Sequence, residues 1–542
     1  MVLFFSFLLF LRYQIKSHHF LPFWGATSKS CSQRPYSALR QVLEAVNQNI
    51  EWIRYDGWGM IENPGSDDEQ RWKCELGPNV FQKGPLTTFG GSSAVDEFEA
   101  LRAATRNLIV GATIPTMAMR PGRFALIPLL RYFPTLVQLV DQASELTGTF
   151  APYMDGPKFV VTNPWLRNWL DALAFSLSGL PASRTAAAAM AYVLEDMHRN
   201  GAALDYPMGG LGKVVDALVR GLEQGENRSK LHLRCHVRSI DFDGSKVTGL
   251  TLRNGKKIIA REGVICNAPI WSLKDLIPNE EAKRKLNHML PSPARREPRQ
   301  TWETSSQGSW IRLKRPPVEN FEQSLLQNCD TAEMTGSFLH LHIAINATGL
   351  DLGKMEAHYT VMDRGLAGDG RTINGVGDGP CGELNMIAVS NPCVIDQTLA
   401  PDGYIVMHAY GAANEPYHVW DGLKRNDPKY AELKEHRSQV LWRAIESIIP
   451  DVRERVVLAL VGSPSTHERF LRRPRGTYGA ATEDYLKDGS TGIPNLLLAG
   501  DGVFPGIGIP SVAISGASAA NGLVNPLRQW LCLDKLENDG KL

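Results

Sequence analysis

The stretch IPNLLLAGDGVFPGIGIPSVAISGASAANGLV, residues 493–524, constrains this chain more than any other part of it. Asn495 to Ala499 is a short apolar run without polar alternation, which predicts a strand covered on both faces. Gly500 and Gly502 flank Asp501, Gly506 and Gly508 follow, and Pro510 stands where a helix would begin. Proline suits a first helical turn, where its missing N–H has no partner to lose. The helix then reads Ser511, Ala513, Ser515, Gly516, Ala517, Ser518, Ala519. Such small side chains admit something flat at close range, and free N–H groups at a helix start attract anions and electron-rich oxygens. A carboxylate at Asp501 can accept hydrogen bonds from ribityl or ribose hydroxyls. The plainer reading is a glycine turn that packs a helix against a sheet.

The chain has 542 residues, enough for a large enzyme with a cofactor part and a substrate part. A formal net charge of +1 gives no reason to expect nucleic acid or an acidic partner. None of the eight cysteines forms a CxxC pair or zinc spacing, so no metal centre is expected. His340 and His342 alternate along one predicted strand and share a face, with His408 a further neighbour, and they read as tunnel lining or packing. No Ser-His-Asp or Cys-His arrangement stands out, and the catalytic residues stay unassigned.

Along the chain, LRQVLEAVNQ predicts a helix and IEWIRYDGW a strand, followed by loops or a short hairpin over 63–92. Residues 96 to about 200 carry helical spacing. Within them, RFALIPLLRYFPTLVQLVDQ is strongly apolar and broken by Pro128 and Pro134. It reads as a buried helical pair, or else as a lipid-facing surface or tunnel wall with Phe124, Leu126, Leu129, Leu130 and Phe133 on the open face. DYPMGGLGKVVDALVRGLEQG gives a glycine turn and an amphipathic helix. Short strands with turns at Asp243-Gly244 and Asn254-Gly255 come next. Strands return in SFLHLHIAIN, AHYTVMD, LNMIAVSNP and YIVMHAY, and a long helix is expected from Tyr430 to Ile449. The polar, basic stretch 291–317 has little periodicity and reads as a solvated insertion or a mis-spliced piece. Leu3 to Leu11 is an apolar run too short to span a bilayer, with Arg12 and Lys16 after it. It reads as a targeting segment or as an alternative first exon.

LLLAGDGVFPGIGIPSVAISGASAAN resembles the C-terminal FAD motif of the carotenoid isomerase and phytoene desaturase family of flavoproteins. DYPMGGLGKVVDALVRGLEQG is similar to a second segment of that family, with Gly209, Gly210 and Gly212 on its pattern. LHLRCHVRSIDFDGSKVTGLTLRNG, SNPCVIDQTLAPDGYIVMHAY and THERFLRRPRGTYG follow in the family's order. The resemblance implies an α/β fold: a Rossmann-like FAD-binding domain of the amine-oxidase and phytoene-desaturase type, with an inserted helical and β-sheet substrate domain. It divides the chain into an atypical N-terminal segment (1–37), a connection between FAD and substrate domains (38–95), a helical substrate lobe (96–204) and an FAD-binding segment (205–280). A substrate domain (281–470) with the polar insertion and a C-terminal FAD-binding segment (471–530) complete it. The resemblance also implies that Gly500 and Asp501 meet the ribityl or pyrophosphate part of FAD, that the backbone at Gly508 and Ile509 faces the isoalloxazine, and that Val237 meets the adenine.

One departure counts against full activity. The family begins with a strand and GxGxxG, with an acidic residue about 20 positions on, and no GxGxxG precedes Ala38. The first βαβ unit is therefore expected to be missing, and FAD to be held poorly. The leading expectation is FAD-dependent isomerisation or desaturation of a carotenoid-like polyene in the chloroplast, with peripheral membrane contact. The alternatives are a truncated, non-catalytic product, and a flavin oxidoreductase on another apolar lipid such as a retinoid.

Overall fold

The computed structural model describes residues 2–3, 37–139, 143–146, 148–224, 229–244, 246–278, 301–304, 310–313, 332–362, 386–480 and 486–542. The apolar run from Leu3 to Leu11 lies outside these beyond Leu3. So does the stretch 291–317, apart from the antiparallel pair Thr301–Thr304 and Trp310–Leu313.

The run before Gly500 forms the strand Leu496–Leu498 and pairs in parallel with Val264–Cys266, which pairs in parallel with Val2–Leu3. Val264, Ile265, Cys266, Leu496 and Leu498 are all buried, which explains the missing polar alternation. Their core is completed by Ile240, Val247 and Leu250 from the antiparallel strands Val237–Asp243 and Lys246–Leu252, and by Ile270, Leu273 and Ile277. The C-terminal glycine loop and residues 264–266 of the 205–280 segment thus meet on one sheet.

A second, seven-stranded sheet runs in the order Val456–Gly462, Ser337–Asn346, Tyr404–Glu415, Met386–Ser390, His358–Met362, Gly57–Glu62, Gln70–Glu75. All its neighbours are antiparallel except Gly57–Glu62 against His358–Met362. Residues 57–75, read from sequence as part of a connection, therefore share a sheet with strands from 337–462. Val456–Gly462, an edge strand with Leu458 and Leu460 exposed, was not expected from the sequence.

Alternation along Ser337–Asn346 sets the two faces of this sheet. Leu339, Leu341, Ile343 and Ile345 pack with Leu441, Ala444 and Ile445 of the helix Pro428–Glu446. That helix starts where Asp427 accepts a hydrogen bond from the Lys429 N–H and Pro428 fills the first helical position. The opposite face meets the helical lobe. Trp58, Met60, Phe338, Met362, Met386 and Tyr410 join Phe98, Leu101, Trp169, Phe175 and Met190 in one core. Each large apolar side chain fully buried there contributes roughly 1.5–3 kcal/mol, so sheet and lobe hold each other in place.

The apolar stretch around residues 124–139 is not a buried helical pair. It divides into Leu126–Leu129, a short 3-10 turn and Phe133–Leu139. Phe124, Leu130 and Val137 are exposed, as are Leu126 at 65% and Phe133 at 59%. Leu129, expected on the same open face, instead packs inward near Ile114, Ala118, Leu139 and Leu533. Exposed Leu527 and Leu531 of the C-terminal helix Pro526–Asn538 extend the apolar surface.

Candidate functional site

The loop between Leu498 and the helix Ile509–Leu523 is tied at both ends. The Gly500 N–H donates to Ser515 Oγ at 2.7 Å, which anchors the loop to the helix that follows it. Asn267 Nδ2 donates to Ala499 O at 2.9 Å, which anchors it to the chain leaving Val264–Cys266. Gly500 has a φ of +119°, and a Cβ there would lie 2.5 Å from Asn267 Nδ2, so only glycine fits. Asp501 is half-buried and pairs with Arg473, whose Nη2 reaches Oδ2. Gly508 is the N-cap of the helix at φ +108° with no capping side chain, and a Cβ there would meet nothing within 4 Å. Open space thus faces a helix start. From Ile509 to Ile514 every residue is only half-buried, although most are small or apolar.

The glycine turn ahead of the second predicted helix is held by its own contacts. Gly209 and Gly210 have φ of +78° and +84°. The Gly209 N–H donates to Asp396 Oδ2 at 2.7 Å, and Gly212 opens the helix Gly212–Gln224. Leu211, Val214 and Val215 form a core with Leu39, Leu43 and Tyr206, and Ile509 packs against it. The helix that Gly212 opens and the residue after Gly508 are thus linked through one core. Val237 begins its strand as a half-buried residue against the core that holds Leu496, Leu498 and Val503. It shares the support of Gly500 and Asp501.

Beside this loop, the near face of the seven-stranded sheet carries a row of rings. His340 Nδ1 and His408 Nε2 share a hydrogen bond of 2.9 Å. His342 stacks on His408 with centroids 4.2 Å apart, and His467 on His340 at 4.6 Å. Phe338, Tyr410 and Tyr478 continue the row, with Ile507 of the glycine loop packed on the same core. Candidate ligand atoms of His340, His342 and His408 lie within 4.8 Å of one another. Their rings, however, are within 7–21° of parallel. A metal must lie close to the plane of each imidazole that binds it, so nearly parallel rings stack rather than converge on an ion. Burial, and secondarily the charge of Arg473, holds His467 neutral by lowering its pKa to about 3.

Residues 97–338 match the family described as flavin containing amine oxidoreductase. The chain is 27% identical over 375 residues to a chloroplastic prolycopene isomerase of Daucus carota, covering 67% of this chain and 50% of that protein. It is 29% identical over 370 residues to prolycopene isomerase 2 of an Oncidium hybrid cultivar, covering 67% and 53%. A phytoene desaturase (lycopene-forming) of Paracoccus sp. is 23% identical over 379 residues, covering 68% and 64%. The chain is thus similar in sequence to prolycopene isomerases and to a phytoene desaturase. It spans about half the length of the prolycopene isomerases it matches.

Three residues at this site, Arg473, Asn267 and Tyr478, were missed from sequence, and Ser515 was read only as a small helix residue. Each acts through a contact distant in sequence, which no local pattern announces. Arg473 was one of several basic residues in THERFLRRPRGTYG, with nothing to mark it from Arg472 or Arg475.

Proposed function

We propose that this chain binds FAD at the C-terminal glycine loop, with the 209–212 turn serving its nucleotide side, and acts on a carotenoid-like polyene, by cis-trans isomerisation or by desaturation. The observation that carries this is the junction of two surfaces. The open helix start at Gly508 lies beside a ring-lined sheet face that holds Phe338, His340, Tyr410 and Tyr478.

The residues present suit a flavin. A side chain at position 508 would fill the space over the helix start, and the half-buried Ile509–Ile514 turn offers a flat apolar support. Backbone at Gly508 and Ile509 suits the carbonyl edge of the ring, and Asp501 the hydroxyls of the ribityl chain. Gly209, Gly210, Gly212 and Val237 support the nucleotide side. FAD supplies hydride or electron exchange when bound. The protein's own part is to orient the polyene and exclude water. Stacked imidazoles and tyrosines suit a substrate with no ionisable group, because they present π faces to it.

The substrate class draws support from the names of the isomerases and desaturases above, and a plastid location from the word chloroplastic in the names of the former. Among the described residues no helix is long and apolar enough to cross a membrane. Access to a lipid-borne substrate would then come through peripheral contact, for which Leu126, Phe133 and Leu531 supply exposed apolar surface.

The test is chromatography of pigments after the chain is incubated with added FAD and a reductant in liposomes carrying prolycopene, or with FAD and an electron acceptor in liposomes carrying phytoene. FAD is added so that cofactor loading does not limit the assay. A flavin-dependent change in either pigment supports the reading, and no change in both overturns it.

A further inference from the structure

The segment THERFLRRPRGTYG folds into a tight knot beside the glycine loop. The helix Pro464–Leu471 ends at Arg472 in a left-handed conformation, and Arg475 adopts another. Between the two reversals Arg473 is turned inward, with its side chain largely buried. Its Nε donates to Thr477 O at 2.8 Å and its Nη2 to Tyr478 O at 2.9 Å, while the same Nη2 reaches Asp501 Oδ2.

Thr477 and Tyr478 are in turn stitched to the start of the ring-lined strand. Thr477 Oγ1 donates to Thr335 O at 2.7 Å, and the Tyr478 N–H to Gly336 O at 3.0 Å. One guanidinium therefore joins the sheet that carries the ring row to the carboxylate on the glycine loop. A planar fork with several donors can hold two partners in fixed relative geometry, which a lysine ammonium cannot. By occupying Oδ2 from one side, Arg473 leaves Oδ1 of Asp501 as the acceptor for a ligand hydroxyl. The charge of Arg473 is also felt at His467, which stacks on His340.

We propose that Arg473 is a positioning residue: it fixes Asp501 in its ligand-accepting orientation and couples the loop to the ring-lined sheet. This rests on the reading of the glycine loop as an FAD site.

The test is a double-mutant cycle on FAD affinity, measured by flavin fluorescence with the full chain. Arg473→Met is expected to raise the Kd about tenfold, the loss of roughly one charge-assisted hydrogen bond. Asp501→Ala is expected to weaken binding comparably, and adding Arg473→Met to Asp501→Ala should change little more, since Arg473 acts through Asp501. Arg473→Lys keeps the charge but loses the fork, and should also weaken binding. It serves as the test if Arg473→Met does not fold. Multiplicative effects of the two substitutions, or arginine variants that bind like wild type, overturn the proposal while the FAD site stands. Failure of the wild-type chain to bind FAD overturns both.

Discussion

Ser515 Oγ accepts the Gly500 N–H at 2.7 Å, a bond that fastens the glycine loop to the helix it precedes. Ser515 is buried, so Ser515→Ala leaves a backbone donor without that acceptor. The expected loss of folding stability is about 1–3 kcal/mol, measured by urea denaturation. Gly500→Ala should cost more, because its Cβ would press on Asn267 Nδ2 at a φ that L residues rarely adopt. Equal stability of both variants and wild type would show that the loop is not held by these contacts.

The exposed apolar surface predicts a membrane phenotype without a folding one. Replacing Leu126, Leu130 and Phe133 together by Glu should reduce flotation with liposomes severalfold. Each such surface change should shift stability by no more than about 0.5 kcal/mol. Unchanged flotation would assign the surface another role.

Much of this architecture follows from local patterns. The unbroken apolar run before Gly500 announced a doubly covered strand, and the alternation in SFLHLHIAIN announced a two-faced one. Pro510 marked a helix start where the first turn can accept proline, while the helix expected from Tyr430 begins two residues earlier, at Pro428. The Val456–Gly462 strand was hidden because VVLALVG has no polar alternation and follows a helical stretch that reaches Ile449. Leu129 was misplaced because Pro128 and the 3-10 turn at Leu130–Tyr132 break helical phase. At the site, the glycines were readable because turns need them. Arg473, Ser515 and Asn267 were not, since pairings over long sequence separations leave no periodic trace.

Asp205 gives a pH signature. Burial, opposed by Arg54, raises its carboxyl pKa to about 7, above the ordinary carboxylate range. A raised folded-state value means that the folded chain binds the proton more tightly than the unfolded one. The stability it confers is present below about pH 4 and is lost progressively as pH rises towards about 7. Asp205→Asn should therefore gain on wild type between pH 5 and pH 8 by at least about 1 kcal/mol. Chemical denaturation at both pH values reads this directly, and a difference independent of pH would remove Asp205 as its source.

The claim on which the rest depends is that the Gly508 helix start receives the flavin. Titrating the full chain and its Gly508→Val variant with FAD, followed by flavin fluorescence, tests it most directly. A valine at a φ of +108° is strained and fills the space over the first helical turn. The account predicts saturable 1:1 binding by wild type and loss of at least about tenfold in affinity, or more than 1.4 kcal/mol, in the variant, with the ring row and its sheet still folded by circular dichroism. Equal affinity in the two proteins would contradict it, as would a wild-type chain that binds no FAD at all.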